Sequence, residues 1–580
     1  MVQPRLRRRD NRVRQKSLKG FESYRVRIMV AFSLMFLGFA LIGVRLFSVA
    51  LMSTAEPEYT YQASSGEAHA LRGKIYDAQG QVIATTLKVK SLFADPHHIM
   101  DVDEVVQKLE QALPDLSNEV LRAKLKKNSR FVWLKRHLTP QQVYAVNSLG
   151  VPGLGFREEE QRFYPQKDIA AHVLGSVNYR GKGVGGVEQG AQEILSQGEG
   201  VALTLDMRLQ NALHEGLKKS MEVNEAKGAW GVTLDAKSGH ILAMVSLPDY
   251  NANNFGLAPK NNWLNRTLDG VYEMGSVFKL FTHATAIEHE NMKLDQLFDC
   301  TRPLKIGSFT IHDIYPRNAW LTAEEVFVYS SNIGAAQMGE LVGASRQQDT
   351  LAELGLFDQY DSGLGYNAAT LAPDPYRWGR IQTMSVSYGH GMAVTALQLA
   401  AAARTVLVDG VWRQPMMTLS AEQLPPRKVF SPKTVGMMRQ LAAAVVQKGT
   451  GQAAAIKGYS VGGKTGTSEK NVDGQYVGDK NLASFVGVAP LNKPRLVTFI
   501  MIDEPKEGGG GSVAAPVFAE YTQKALAFLG VPPENDVAEI PSLDDVHPQH
   551  SDQNSVGQNL VQHVFLTNKP QQVAWAQVAP

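Results

Sequence analysis

The sequence predicts a multidomain chain of mixed α+β and α/β structure that a single transmembrane helix ties to a membrane. Three observations carry this prediction. The 580 residues are 44% hydrophobic and 20% charged, a composition typical of folded chains. One long segment near the N-terminus is apolar and uncharged. Strand patterns stand at both ends of a long helical stretch, which predicts one sheet built from distant parts of the chain.

Charge and cysteine content exclude several classes of protein. The lone Cys300 excludes a disulfide framework and any multi-cysteine zinc or iron–sulfur site. Residues 1–27 contain ten Lys and Arg against two acidic residues, although the net charge of the whole chain is only +3. The rest of the chain is therefore acidic overall, and only the N-terminal arm is basic. We expect no nucleic-acid partner, because the chain beyond the N-terminal arm has no excess of basic residues to bind one.

The N-terminal segments predict the cellular location. Residues 1–27 form a basic cytoplasmic arm, and residues 28–52 form the transmembrane anchor, within which Ile28–Val44 carries no charge. At 1.5 Å per residue, a helix over Ile28–Val44 is roughly 25 Å long and a helix over residues 28–52 is roughly 37 Å long. The ~30 Å thickness of a bilayer core lies between these two lengths. The positive-inside rule places the chain from residue 53 outside the cell membrane, which in a bacterial chain means the periplasm or the cell surface. A cleaved signal peptide and a buried soluble helix are the alternatives.

Changes in residue composition and apolar periodicity divide the remaining chain into three parts. These are a mixed domain over 53–225, a second domain over 226–530 and a flexible tail over 531–580. In the first domain, apolar periodicity and turn residues predict a hairpin, two helices, a short strand and a further helix that Asp206 caps. These elements are Leu71–Thr86, Val102–Lys127, Thr139–Ser148, Val201–Leu205 and a helix that ends near Val223.

The second domain begins with a strand hairpin, continues as helices to about residue 450, and ends with three strands and a helix. Strands at both ends of the domain predict a sheet whose members come from distant sequence. The predicted elements are Trp230–Leu234, His240–Ser246, Tyr459–Thr467, Ala483–Val488, Leu496–Ile502 and the helix Ala515–Leu529.

The first chemical motif is Ser276-Val277-Phe278-Lys279. Helical apolar spacing follows it, so Ser276 is predicted at a helix N-terminus with Lys279 on the same face. A lysine whose pKa is lowered by burial and a second cation can take the proton of a serine nucleophile. Backbone N–H groups at such a helix end also favour a developing oxyanion. The alternative is an ordinary serine cap followed by an ordinary lysine.

The second motif is Ser330-Ser331-Asn332, which follows the capping box formed by Thr322 and Glu325. It is predicted at a tight junction between two helices, where side chains can face a cleft. A serine hydroxyl can relay a proton, and an asparagine amide can both donate and accept hydrogen bonds. The alternative is a plain cluster of helix-capping residues.

The third motif is Lys464-Thr465-Gly466-Thr467, inside a strand pattern rich in glycine. The glycines indicate that a ligand approaches the backbone closely. The lysine and the threonines are suited to binding a carboxylate. An exposed strand edge can also pair with an extended peptide. The segment Gly458–Thr465 also satisfies the phosphate-loop pattern of P-loop NTPases. That pattern requires a helix to begin at Lys464, whereas the sequence after it predicts a strand that runs into a loop.

The order S-x-x-K, S-x-N, K-T-G is the signature of class A β-lactamases and penicillin-binding proteins. Here the motifs are 54 and 134 residues apart. Over roughly residues 25–530 the chain resembles the class B penicillin-binding proteins, and most of all the division-specific, FtsI-type peptidoglycan D,D-transpeptidases. Further segments that share the family pattern are Arg72–Gly80, Arg162–Pro165, Gly186–Glu188, Thr204–Gln210, Asp235–Met244, Asn265-Arg266, Gly389–Gln398 and Ala514–Phe518.

The resemblance implies a non-catalytic pedestal domain of the dimerisation type, followed by a penicillin-binding transpeptidase domain with a five-stranded sheet flanked by helices. It implies cross-linking of peptidoglycan stem peptides that end in D-Ala-D-Ala through a serine acyl-enzyme, with release of D-Ala, in septal wall synthesis. β-Lactams would acylate the same serine. The implied partners are a SEDS-type lipid II glycosyltransferase and other proteins of the division machinery.

The resemblance also implies a role for each motif residue. The catalytic residues would be Ser276, Lys279, Ser330, Asn332 and Lys464. The substrate-binding residues would be Thr465, Gly466 and Thr467, and the backbone N–H groups of Ser276 and Thr467 would form the oxyanion hole. Neither a metal nor an organic cofactor is expected, since the sequence has no H-E-x-x-H motif and no His/Cys cluster.

Two segments depart from the family pattern. Glu273-Met274-Gly275 stands where relatives have Glu-Pro-Gly, which relaxes the turn before the nucleophile. Gly508–Gly511 is expected to be a flexible loop beside the site, where relatives carry bulkier residues. The open alternatives are an elongation-type transpeptidase, a D,D-carboxypeptidase or β-lactamase-like hydrolase, a β-lactam sensor and an inactive scaffold of the division machinery.

Overall fold

The computed structural model describes residues 29–44, 70–307, 309–419, 423–472 and 475–534. The chain divides into two units, residues 1–69 and 70–580. In the first unit, helix α1 covers residues 29–44, within the predicted anchor. No helix in the described ranges combines the length and hydropathy needed to cross a membrane. The basic arm, the rest of the anchor and the tail beyond residue 534 lie outside the described residues.

Twenty strands are assigned in the described part of the second unit. They are β1 Ile75–Tyr76, β2 Val82–Ala94, β3 Val132–Leu138, β4 Leu154–Phe163, β5 Ser176–Val177, β6 Gly183–Val184, β7 Val201–Ala202, β8 Gly228–Asp235, β9 Ile241–Leu247, β10 Tyr272–Glu273, β11 Leu297–Cys300, β12 Leu304–Ile306, β13 Phe309–Ile311, β14 Ala319–Thr322, β15 Ala393–Val394, β16 Val411–Trp412, β17 Arg427–Lys428, β18 Gly462–Val472, β19 Gln475–Ala489 and β20 Leu496–Asp503.

The α-helices of the same part connect and cover these strands. They are α2 Val102–Ala112, α3 Asn118–Leu125, α4 Pro140–Asn147, α5 Ala171–Leu174, α6 Gly186–Gly190, α7 Gln192–Ser196, α8 Met207–Val223, α9 Lys279–His289, α10 Ala323–Val328, α11 Asn332–Val342, α12 Ala344–Glu353, α13 Arg380–Ser387, α14 Ala396–Arg404, α15 Pro432–Lys448 and α16 Ala515–Phe528.

The N-terminal part of this unit is built around one sheet with the strand order β3-β2-β1-β7, and β4 also pairs with β2. The hairpin predicted over Leu71–Thr86 is confirmed, because β1 and β2 pair antiparallel. The single helix predicted over Val102–Lys127 is wrong. Pro114 lies between α2 and α3, and proline both lacks an N–H group and clashes with a preceding turn.

A buried charge cluster ties this N-terminal part together. The carboxylate of Glu188 accepts hydrogen bonds from the Nε atoms of Arg72 and Arg162, each at 2.6 Å. Glu188 is completely buried, and both arginines are less than 10% exposed. Both arginines also donate to backbone carbonyl groups, Arg72 to Glu188 and Arg162 to Gly73. The cluster therefore joins residues that are 116 and 26 positions apart in the chain.

The predicted sheet with strands from distant sequence is confirmed as a five-stranded antiparallel sheet of order β18-β19-β20-β8-β9. Alternate residues of β20 face opposite sides, with Phe499 in one apolar cluster and Ile500 in the other. Helices α8 and α16 cover one face, and α14 covers the other. Asp206 caps α8 as predicted, by accepting a hydrogen bond from the N–H group of Arg208.

Helix α8 packs on this sheet although it precedes the predicted boundary at residues 225 and 226. The domain boundaries themselves stay predictions. Strand β18 forms one edge of the sheet, so the third motif lies on a strand with one free side. Glycine permits close packing on one face of β18, because a Cβ atom at Gly466 would lie 2.8 Å from the carbonyl oxygen of Met274. The sheet edge therefore meets the segment that carries the first motif.

Candidate active site

Ser276 lies in the 3₁₀ turn Gly275–Phe278, which leads directly into α9. The predicted position at a helix N-terminus is thus confirmed to within one turn. Gly275 has φ +54°, and a Cβ atom there would lie 2.8 Å from the carbonyl oxygen of Thr467. Glycine is required at this turn because a side chain would be both strained and too close to β18.

Lys279 begins α9, and its amine faces the hydroxyl group of Ser276. Its Nζ atom lies 2.7 Å from Ser276 Oγ, 2.7 Å from Asn332 Oδ1 and 2.7 Å from the carbonyl oxygen of Ser330. The Ser330 hydroxyl lies 3.2 Å from the same nitrogen. Lys279 is completely buried. The amine can therefore exchange a proton with the Ser276 hydroxyl while three oxygen atoms fix its position.

The predicted junction between two helices is confirmed at Ser330, Ser331 and Asn332. Helix α10 has the predicted capping box of Thr322 and Glu325, and α11 begins at Asn332 with Ser331 as its cap. Ser330 has φ +63°, a conformation that costs a non-glycine residue of order 1–3 kcal/mol. This conformation turns both the carbonyl group and the hydroxyl group of Ser330 toward Lys279.

Strand β18 brings the third motif to the same place. Lys464 Nζ lies 2.9 Å from Ser330 Oγ and 3.2 Å from the carbonyl oxygen of Thr465. The Ser330 hydroxyl therefore lies within hydrogen-bond distance of both lysines. Thr465 Oγ1 is 2.6 Å from Thr450 Oγ1, and Thr467 Oγ1 accepts a hydrogen bond from the N–H group of Gly510. The three motifs, 188 residues apart at their extremes, form one cluster.

The electrostatics favour a neutral amine at Lys279. Burial, and then the charge of Lys464, hold the pKa of Lys279 well below its ordinary value, and Asp313 acts in the opposite direction. Burial alone lowers the pKa of Lys464 to about 7. Because Lys279 experiences both burial and a neighbouring cation, we assign the first proton lost by the pair to Lys279. Proton removal from Ser276 requires this neutral form.

A cleft of about 350 Å³ opens beside Ser276. Its lining residues come from six short stretches of the chain: Ser276; Asp313, Ile314 and Tyr315; Tyr329 and Ser330; Thr450; Thr465 and Thr467; and Gly509–Ser512. The size suits an extended peptide of a few residues or a small bicyclic ligand. The loop expected at Gly508–Gly511 leads into a π-helical turn, Gly510–Ala514, and lies against β18.

Gly510→Ala is expected to destabilise the protein and deform this wall. The new Cβ atom would lie 2.2 Å from the carbonyl oxygen of Ser484 and 2.4 Å from that of Gly466. Forced overpacking costs about 1–3 kcal/mol. The matched control is Gly436→Ala in α15, where a Cβ atom meets nothing within 4 Å. Thermal unfolding should show a lower midpoint only for Gly510→Ala; equal midpoints would contradict the tight packing of the loop.

Sequence reasoning missed several residues of the cleft. Asp313, Tyr315 and Thr450 line it, yet none belongs to a recognisable motif. The phosphate-loop alternative is excluded, because Lys464 lies inside β18 and no helix begins there. Among the described residues, the side chains of Asp168, His214 and Asp249 could together hold a metal ion, but they do not line the cleft.

Comparisons with known proteins agree with this geometry. The family model for the penicillin binding protein transpeptidase domain matches residues 229–523, and the model for the penicillin-binding protein dimerisation domain matches residues 67–197. A protein of Caulobacter vibrioides named as a probable peptidoglycan D,D-transpeptidase FtsI is 35% identical over 545 residues, covering 89% of this chain and 90% of the relative. The peptidoglycan D,D-transpeptidase FtsI of Escherichia coli K12 is 31% identical over 499 residues, covering 80% and 84%.

A solved structure shows the same fold. Penicillin binding protein 3 from Mycobacterium tuberculosis, complexed with ampicillin, has a TM-score of 0.65 at 24% identity, and the match covers 81% of this chain and 97% of that one. The fold, the two family matches and the convergence of the three motifs all indicate the same family. The chain belongs to the penicillin-binding transpeptidases, the family that includes the peptidoglycan D,D-transpeptidases FtsI and PenA.

Proposed function

We propose that this peptidoglycan D,D-transpeptidase uses Ser276 as its nucleophile and Lys279 as the base. The observation that carries the proposal is the 2.7 Å contact between Ser276 Oγ and the completely buried Lys279 Nζ. Lys279 takes the hydroxyl proton as Ser276 attacks the penultimate D-Ala carbonyl group of a donor stem peptide. A tetrahedral intermediate forms, and its oxyanion accepts hydrogen bonds from the backbone N–H groups of Ser276 and Thr467.

The donor peptide is proposed to lie along the free edge of β18 as an added strand. Thr465, Gly466 and Thr467 provide the backbone and hydroxyl groups that bind the peptide and its terminal carboxylate. Lys464 adds positive charge at that end and favours the neutral form of Lys279. The absence of a side chain at Gly466 keeps the strand close to the Ser276 turn.

The intermediate collapses when its C–N bond breaks and the leaving D-Ala nitrogen takes a proton. Ser330 is proposed to pass that proton, because its hydroxyl lies 3.2 Å from Lys279 Nζ and 2.9 Å from Lys464 Nζ. Asn332 holds Lys279 and binds an amide of the substrate. The amine of a second stem peptide then attacks the ester carbonyl carbon and loses a proton to Lys279. Lys279 returns this proton to Ser276 Oγ as the C–O bond of the ester breaks, which leaves free Ser276 and a new amide cross-link.

Septal wall synthesis is proposed as the setting, on the likeness to relatives named FtsI. The uncharged segment Ile28–Val44 within residues 28–52 is proposed as the single anchor in the inner membrane, with the catalytic domain in the periplasm. A SEDS-type lipid II glycosyltransferase and other division proteins are the proposed partners. Protease added to spheroplasts should digest the catalytic domain and spare residues 1–27; the reverse pattern would contradict this topology.

Labelling with a fluorescent penicillin, followed by peptide mapping, tests the nucleophile. The label is expected on the peptide that contains Ser276, and Ser276→Ala should lose it. Ser512→Ala is the matched control, because Ser512 lines the same cleft and should leave labelling unchanged. A label on another residue would overturn the assignment. Product analysis separates a transpeptidase from a hydrolase, since a D,D-carboxypeptidase would release D-Ala without forming cross-links.

A further inference from the structure

Asp313 lies in the loop after β13 and lines the cleft, although no motif marks it. Its side chain is half-buried, whereas the neighbouring Ile314 and Tyr315 are 61% and 78% exposed. The residue therefore lies where an exposed loop reaches the buried cluster of Ser330, Lys279 and Lys464. None of the roles proposed above uses it.

The Asp313 carboxylate binds the residues that follow Ser330. Its Oδ1 atom accepts hydrogen bonds from the backbone N–H groups of Asn332, at 2.5 Å, and Ile333, at 3.0 Å. Its Oδ2 atom accepts the hydroxyl of Ser331 at 2.8 Å. These are among the first N–H groups of α11, which have no partner within the helix. One carboxylate thus fixes three successive residues of the turn.

The preceding residue orients the Asn332 amide. Asn332 Nδ2 donates to the carbonyl oxygen of His312 at 3.1 Å, which leaves Oδ1 facing Lys279 Nζ at 2.7 Å. His312 and Asp313 together therefore hold the backbone and the side chain of Asn332. The same turn keeps Ser330 at φ +63°, the conformation in which its carbonyl group and hydroxyl face Lys279.

Asp313 also opposes the other influences on Lys279. Its negative charge favours the protonated amine, whereas burial and Lys464 favour the neutral amine. Two histidines also lie near Lys279: His283, on the same helix, and His390, in the loop after α13. Burial lowers the pKa of these two to about 3 and about 4, so both stay neutral above pH 6. Burial has the largest effect on the pKa of Lys279, and the charges of Lys464 and Asp313 then act on it in opposite directions.

We propose that Asp313 is a positioning residue for the transpeptidation reaction: it holds the Ser331–Ile333 turn so that Ser330 and Asn332 stay within hydrogen-bond distance of Lys279. This proposal rests on the proposed function, because it requires Lys279 to be the base. A carboxylate at this loop position would then limit how low the pKa of the base falls, while it aligns the two groups that hold the base.

The test measures the second-order rate constant for acylation of the full-length protein by a fluorescent penicillin from pH 6 to pH 10. Asp313→Asn is expected to lower the maximal rate at least tenfold. Its acid limb should move to lower pH, because loss of the carboxylate charge lets Lys279 lose its proton more readily. A residue that only stabilised the fold would lower the rate equally at every pH and leave the limb in place.

Asp313→Glu separates position from charge, since it keeps the charge and displaces it by one methylene group. It should reduce the rate and leave the acid limb near that of the wild type. Asp374→Asn is the matched control, because Asp374 is an exposed aspartate that caps the 3₁₀ turn Pro375–Arg377. A wild-type rate or an unshifted limb in Asp313→Asn would overturn the proposal. Absence of a label on Ser276 in the wild type would instead overturn the proposed function.

Discussion

Replacing Lys279 by arginine is expected to reduce acylation of Ser276 by roughly 10²- to 10⁴-fold, the contribution typical of a general base. Arginine keeps a positive charge and a long stem, but its guanidinium group is not deprotonated in proteins. The amine that lies 2.7 Å from Ser276 Oγ would be replaced by a group that cannot accept the hydroxyl proton. If the role of Lys279 were only to supply charge, the arginine variant would remain active.

The measurement is the second-order rate constant for fluorescent penicillin, with the melting temperature as a check on folding. Lys279→Met, which removes both the base and the charge, should be at least as slow. Lys448→Arg provides the matched control, since Lys448 is exposed at the end of α15 and pairs with Glu324 at 2.7 Å. A wild-type acylation rate in Lys279→Arg would rule out Lys279 as the base.

Glu188→Gln is expected to cause the largest loss of stability. The substitution removes the negative charge from between the guanidinium groups of Arg72 and Arg162, each of which donates to Glu188 at 2.6 Å. Removal of one partner from a buried ion pair costs about 3–5 kcal/mol, because the remaining charge is neither hydrated nor paired. Here two buried cations lose the same partner.

Hydrogen exchange is the suitable measurement, because a multidomain chain does not have one two-state unfolding free energy. Backbone amides of β1, β2 and α6 in the full-length variant should exchange roughly 10²- to 10³-fold faster. Glu119→Gln, on the exposed face of α3, is the control and should leave those rates unchanged. Acylation of Ser276 should persist at low temperature, since the cluster does not contact the cleft. Unchanged exchange in Glu188→Gln would show that the cluster is not required for stability.

The local part of the fold was accessible from sequence. Asp206 and the box of Thr322 and Glu325 are caps whose partners lie within three residues, so their effect is visible in a short window. The predicted strand at Lys464 is confirmed, but its predicted end at Thr467 is wrong, because β18 continues to Val472. Lys470 there contacts Asp503 at 2.8 Å and Glu504 at 2.9 Å, and such long-range ion pairs leave no local pattern.

The same distinction applies to the site. Ser276, Lys279 and Asn332 belong to short motifs whose spacing is itself informative, and the structure brings them together. Asp313 contributes through hydrogen bonds to residues 18 to 20 positions away, from a loop with no periodicity. The proposed role of Asp313 can be recognised only when the backbone N–H groups at the start of α11 are matched with their hydrogen-bond acceptors.

The strand order of the catalytic sheet has a consequence for biosynthesis. Strands β8 and β9 leave the ribosome long before β18, β19 and β20, yet β8 pairs directly with β20. A nascent chain that already exposes Ser276 still lacks Lys464 and the strand on which a stem peptide would align. With the roles proposed for Ser276, Lys464 and β18, a chain truncated upstream of β18 is expected to be inactive as a transpeptidase.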